Sequence, residues 1–252
     1  MKALEDKSEG KVITLYPVAG GNGVNYTAVN LAYALRERDP YTRIALVDFD
    51  FNNPYLGVGL TTDNVHGIDN LVDKINGNFL DEDMFKENMI TLRDNIDLLK
   101  GTQLGQFNLV KQEHLTTIVE FLRKAYDVIF VTTNHSASDA GTPVGLYVAD
   151  HVLLVGRYNT TNAILAQKAV DAIRNYGGRG EVGVLYNMYY NQNGIDFSEV
   201  FEGWPVFGTI PYLQDTVDNQ HLSGKTLSGL KKRKNPTQEI YDSILDAFVH
   251  DF

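Results

Sequence analysis

Three short stretches carry the residues that could act on a phosphate. The first is GGNGVNYTAVNLAYAL, Gly20–Leu35, directly after the apolar run VITLYPVA. Strand, glycines, helix is the layout of a phosphate-binding loop, in which backbone N–H groups and a helix N-terminus cradle the anion. Such a loop normally adds a lysine for the β- and γ-phosphates and a Ser or Thr hydroxyl for Mg²⁺. Here no Lys or Arg occurs between Lys11 and Arg36.

The second stretch is DFDFNNP, Asp48–Pro54. Asp48 and Asp50 are two apart at a strand end, and an extended chain points both to one face. One reading gives them residual Mg²⁺ or water binding. The other has them cap the strand and accept from loop amides; this is the reading for Asp50, and both stay open for Asp48. Asn52 and Asn53 before Pro54 read as turn residues. The third stretch is TTNH, Thr132–His135. His135 as a base with Thr132 as a metal ligand is weighed against a satisfied surface histidine. The histidines at 66, 114, 135, 151, 221 and 250 show no zinc spacing, and there is no cysteine.

The elements that must position these residues are legible as short apolar runs. Strands are predicted at Val12–Tyr16, Ile44–Phe49, Ile96–Leu99, Asp127–Thr133, His151–Gly156, Val182–Asn187 and Val206–Ile210. Helical periodicity covers Thr27–Arg38, with its start near Asn25–Thr27, then Leu109–Lys124, Asn162–Asn175 and Pro236–Phe248. Two weakly patterned helices are expected within Asn64–Asn95, over the sheet edge. Alternating strands and helices predict an α/β fold with a mostly parallel central sheet flanked by helices. The strands span the chain, so one domain is expected over 1–252, with residues 1–10 as a flexible N-terminal tail.

The chain has 252 residues, 43% hydrophobic, with a formal net charge of −10 and a pI near 5.0. That balance argues for a soluble, cytoplasmic protein and against general affinity for nucleic acid or anionic lipid. No run approaches the roughly 20 apolar residues of a membrane span. The C-terminal stretch IYDSILDAFVHDF is amphipathic but acidic, so its stripe of Ile240, Ile244, Leu245 and Phe248 is expected on the sheet and not in a membrane. KKRK, Lys231, Lys232, Arg233 and Lys234, is the one basic cluster and a candidate polyanion contact. Tyr189, Tyr190 and Tyr212 are candidates for stacking on a base or for a protein interface.

Taken together, these motifs resemble the MinD/ParA family of deviant Walker P-loop ATPases, over about Lys11 to Ala247. The family loop, roughly KGGVGKTT before a helix like xAxNLAxAL, overlies Ala19–Tyr26 and the helix that follows. YTRIALVDFDFNNPYLG is similar to its LLIDxDxxxP motif, and YDVIFVTTN to its Walker B strand, YDxIIIDTP. The resemblance places the family's bridging lysine on Ala19, its P-loop lysine on Val24 and its Mg²⁺ hydroxyl on Asn25. The next Thr falls on Tyr26 and the Walker B aspartate on Thr132. A nucleotide site, if retained, is implied at Gly20, Gly21, Asn22, Gly23, Val24, Asn25, Tyr26, Asn187, Pro211 and Tyr212, with Asp48 for metal or water.

Phosphoryl transfer in such sites rests on positioning and charge neutralisation. Each lost electrostatic element commonly costs about 10²–10³-fold in rate. The expectation is a pseudo-ATPase that requires no cofactor, with weak ATP or ADP binding with Mg²⁺ as the residual activity. The TadZ/CpaE branch, which helps place pilus and secretion assemblies, also often lacks the P-loop lysine. By that resemblance the chain is a localisation or scaffold factor for a membrane-associated assembly of the pilus, secretion or conjugation kind. It would work through protein partners, with a homodimer compatible, and reach a membrane or cell pole through them. TadZ/CpaE proteins usually carry a receiver-like domain, whereas only about ten residues precede the first strand here. The alternatives are a slow or partner-activated ATPase and a DNA-associated partition protein.

Overall fold

Each predicted apolar run forms a strand. In the computed structural model the described residues are 9–102, 109–178, 180–189, 198–201, 203–212 and 237–249. The strands are β1 (Lys11–Pro17), β2 (Ile44–Asp48), β3 (Ile90–Thr91), β4 (Ile96–Leu99), β5 (Val128–Thr132), β6 (His151–Gly156), β7 (Glu181–Tyr189) and β8 (Val206–Pro211). They make an eight-stranded sheet of order β3-β4-β2-β5-β1-β6-β7-β8. Every pair is parallel except β3 with β4. The central strands are buried on both faces, which is why their sequences are continuous rather than alternating apolar runs.

The helices are α1 (Val24–Arg38), α2 (Ile68–Asn76), α3 (Glu82–Glu87), α4 (Gln112–Ala125), α5 (Gly141–Tyr147), α6 (Thr160–Tyr176) and α7 (Gln238–Val249). Helices α1 and α7 pack on the sheet face that carries Ile13, Leu15, Leu46, Phe130, Leu153 and Leu185. The opposite face carries Val12, Val47, Ile129 and Val131 under α2 and α4, and Tyr16, Leu154 and Tyr186 beside α6. Ile244, Leu245 and Phe248 of α7 enter the core, as the apolar stripe predicts, and the Phe248 ring stacks on His151 with centroids 4.6 Å apart. Among the described residues no helix is long and apolar enough to cross a membrane.

Several details differ from expectation. Helix α1 begins at Val24, and α7 begins at Gln238, two residues after Pro236. Gly10, assigned to the flexible tail, is buried, and its N–H donates to the Arg123 carbonyl at 2.9 Å. The excursion over the sheet edge contains α2 and α3 and also the two-residue strand β3, too short to leave a pattern. Helix α5, GTPVGLY, was not foreseen because Gly and Pro carry low helix propensity. Packing forms it regardless: a Cβ on Gly141 would lie 2.1 Å from the Phe49 carbonyl oxygen, so only glycine lets α5 close on the end of β2. We predict that Gly141→Ala lowers stability by about 1–3 kcal/mol in urea denaturation, because backbone must shift to admit the methyl group.

Candidate functional site

The loop between β1 and α1 lies over the carboxyl ends of the central strands. Gly21 and Gly23 hold left-handed backbone, φ 77° and 82°. Gly23 is also the N-cap of α1 and carries no side chain to bond the first turn. A Cβ on Gly23 would lie 2.5 Å from Asn187 Nδ2, so this glycine is required twice, by conformation and by space.

Asn22 fixes the loop to the sheet. It is buried, and its Nδ2 donates to the Val155 carbonyl at 3.0 Å and to Asn162 Oδ1 at 2.6 Å. Asn162 Nδ2 donates to Asn159 Oδ1 at 3.0 Å and, at 3.3 Å, back to Asn22 Oδ1. Asn159 caps α6 by accepting from the Asn162 N–H. From β7, Asn187 Nδ2 donates to the Asn22 carbonyl at 2.9 Å, and Asn187 Oδ1 accepts from the Met188 N–H. Asn187, implied as part of a nucleotide site, spends its amide on the loop itself and is buried. Asn159 and Asn162 were missed as parts of the site. The visible signal was NTTN ahead of a helix, which marks a cap but not a tether to a residue 140 positions away.

The substituted positions point inward or stand without charge. Ala19 and Val24 are buried, and Val24 joins the core beneath α1. Among the described residues Asn25 Oδ1 is buried with no hydrogen-bond partner. Tyr26 is buried near Tyr241 of α7, and burial raises its phenol pKa. Among the described residues neither hydroxyl has a partner. No cationic side chain comes from the loop itself. The His135 ring packs beside the loop, its Cε1 3.7 Å from where a Cβ on Gly20 would sit.

Strand β2 ends at Asp48, and Asp50 two residues on is close enough for its charge to raise the Asp48 pKa. Asp48 is 0% exposed; its Oδ1 accepts from the Asp50 N–H and its Oδ2 from the Leu56 N–H, both at 3.0 Å. Thr132 stands opposite Asp48 in the β2–β5 register and places its hydroxyl 3.4 Å from Asp48 Oδ1. Burial without a counter-ion pushes the Asp48 carboxyl up to about 7, against the loop amides that hold it down. Asp50 accepts from Asn134 Nδ2 at 2.7 Å and from the Asn53 N–H, and burial raises its pKa as well. Asn52 bonds Ser138 and Asp139 across the same cleft. Both aspartates thus have the hydrogen bonds expected of strand-end caps. Among the described residues no group of three or more His, Cys, Asp or Glu could hold a metal ion.

The remaining candidates scatter. Pro211 pairs with Tyr189 at the end of β8, and the Tyr212 N–H donates to the Tyr189 carbonyl at 3.2 Å. The Tyr189 ring meets Tyr158 edge-on at 5.4 Å. Lys231, Lys232, Arg233, Lys234, Tyr190, His221 and His250 lie outside the described residues.

The Asp48 geometry has a pH signature. Its pKa rises from 3.8 unfolded to about 7 folded, so the native state binds the extra proton between those values. Its contribution is full below pH 3.8 and is lost as pH rises through about 7. We predict that stability of the parent falls over this window relative to Asp48→Asn, by a few kcal/mol on the order of 1.4 per pKa unit. Asp48→Asn is less stable in absolute terms, since one amide loses its acceptor, but its stability profile is flatter. Urea denaturation at stepped pH measures both.

A family model described as an AAA domain matches residues 10–172, more than half of the chain. No curated protein matches. Among solved structures the fold is similar to a ParA family ATPase from Chlorobium tepidum, at 18% identity and a TM-score of 0.82, covering 94% of this chain and 98% of that one. It is also similar to the septum site-determining protein MinD from Pyrococcus horikoshii complexed with Mg-ADP, at 16% identity and a TM-score of 0.76, covering 93% and 96%. MinD in the MinC:MinD cell division complex of Aquifex aeolicus is similar at 17% identity and 0.74, covering 93% and 94%. With the AAA-domain match, the glycine loop on the β1–α1 turn and the parallel sheet, the chain belongs to the MinD/ParA family of P-loop proteins.

Proposed function

We propose that this protein is a non-catalytic member of its family, a positioning or scaffold factor that acts through protein contacts. The observation that carries the reading is the loop without a cation. Val24 stands at the position of the P-loop lysine and turns into the core, and Ala19 stands at that of the bridging lysine. The rest of the site agrees. Asp48 has both oxygens committed to backbone amides. Thr132 offers a hydroxyl where a second carboxylate would complete the acidic pair. Asn187 is committed to the loop. These residues do not fit a Mg²⁺-nucleotide as the family's motif would hold it.

What remains is a fold used elsewhere to place other molecules. The Aquifex MinD was solved with its partner MinC, a precedent for function through a protein surface. The reading for this chain is recruitment or positioning of a membrane-associated assembly, of the kind the TadZ/CpaE resemblance implies. A homodimer across the loop face would form without an ATP switch, because no lysine reaches across it from position 19.

A phosphate-release assay tests the catalytic half. With about millimolar ATP and Mg²⁺ the purified protein is expected to match a blank lacking protein, given losses of about 10²–10³-fold for each missing element. Turnover that vanishes in Asp48→Asn would overturn the proposal and favour a slow ATPase.

A further inference from the structure

Lys111 is the cap residue of α4, and His114 stands at the third position of the helix. In a capping box a Glu or Gln at that position reaches back and accepts from the N–H of the cap residue. Here the acceptor is an imidazole. The Lys111 N–H donates to His114 Nδ1 at 3.1 Å. The ring is 1% exposed, and its other nitrogen, Nε2, lies 3.0 Å from Asn76 Oδ1 on the last residue of α2.

These two contacts fix where the proton sits. A backbone N–H only donates, so Nδ1 must offer its lone pair and the hydrogen of the neutral ring is on Nε2. Nε2 then donates to Asn76, which has to present its oxygen. A glutamine at this position has no further proton to gain. An imidazole does, and the second proton goes onto Nδ1, where it faces the Lys111 N–H donor to donor. Protonation of His114 and the cap of α4 exclude each other.

The groups around the ring do not compensate a charge on it. On its own element the flanking Lys111 and Glu113 pair with each other at 3.5 Å. Across from it α2 presents the neutral Asn76. Asp73 of α2 is exposed, and Lys74 Nζ donates to the Met84 carbonyl of α3 at 3.5 Å. Asp69 lies in the first turn of α2, roughly 10 Å along the helix from Asn76. Among the described residues no carboxylate comes within 4.0 Å of a His114 nitrogen. Burial accordingly lowers the ring's pKa from 6.5, with Glu113 acting against it and Lys111 with it. The unfolded chain takes up the proton first as pH falls, so what the neutral ring contributes is whole above 6.5 and is lost below it.

Behind the ring α2 and α4 share one apolar cluster, with Leu71 and Val72 on one side and Leu115, Ile118 and Val119 on the other. We propose that His114 is an acid-sensitive latch: a proton taken up on Nδ1 releases the first turn of α4 and loosens α2, and with it the excursion over the sheet edge, while the central sheet stays folded. The latch goes beyond the proposed function and requires neither nucleotide binding nor its loss.

NMR on the full chain tests it. Above neutral pH the ring nitrogens are expected to show the Nε2–H tautomer. On acidification the ring should titrate below 6.5, and the Lys111 amide and the Asn76 side-chain amide should move at the same midpoint. The Leu115 N–H closes the first turn on the Lys111 carbonyl. Its hydrogen-exchange protection is expected to fall by about five- to tenfold through that midpoint, the loss of one cap, while β5 keeps its protection. A local readout is needed because Asp48 moves global stability in the opposite sense. His114→Gln supplies an acceptor that gains no proton and should hold Leu115 protection level down to about pH 5. An Nδ1–H tautomer above neutral pH, a ring that titrates at or above 6.5, titration that leaves Lys111 and Leu115 unmoved, or the same loss of protection in His114→Gln would each overturn the proposal.

Discussion

The loop owes its shape to one buried side chain. The Asn22 amide reaches β6 through the Val155 carbonyl and α6 through Asn162, and the Asn22 backbone carbonyl accepts from Asn187 of β7. Every polar atom of its amide is used, which is the condition under which a buried polar network stabilises a unique arrangement. The two glycines beside it then have only one path to follow, through left-handed backbone to the start of α1. A phosphate loop with a lysine can be ordered by its anion. This one is ordered by asparagines from within the protein. The same hydrogen bonds that fix the loop also occupy the Asn187 amide.

The acidic side follows a similar economy. In the β2–β5 register Asp48 faces Thr132, and the pair is closed off from solvent. A second carboxylate at that position would set two like charges together in a low-dielectric site, tolerable only with a cation between them. A threonine removes that requirement. One carboxyl with amides on both oxygens and a hydroxyl nearby can be buried without metal, although its pKa rises in consequence. The missing lysine and the missing aspartate thus read as one coupled change in charge, not two separate losses.

Much of this was legible in the sequence. The apolar runs are short and continuous because a doubly covered parallel strand must be apolar on both sides, and all seven appear as strands. The absent cation at Ala19 and Val24 is a matter of residue type and needs no coordinates. The remainder depends on distance along the chain. Nothing in NTTN at 159–162 announces a partner at Asn22. Helix α5 runs against its own propensity and exists because Gly141 can touch Phe49.

The central claim is that the loop has kept a phosphate-binding backbone without the charge that makes it a nucleotide site. Calorimetric titration of ATP and ADP, each with and without Mg²⁺, tests it most directly. The account predicts no heat of binding up to about 1 mM nucleotide, corresponding to a binding free energy weaker than roughly −4 kcal/mol. A micromolar, Mg²⁺-dependent affinity would contradict it, because Asp48 would then have to leave the amides it holds here and the loop would have to form a site without a cation.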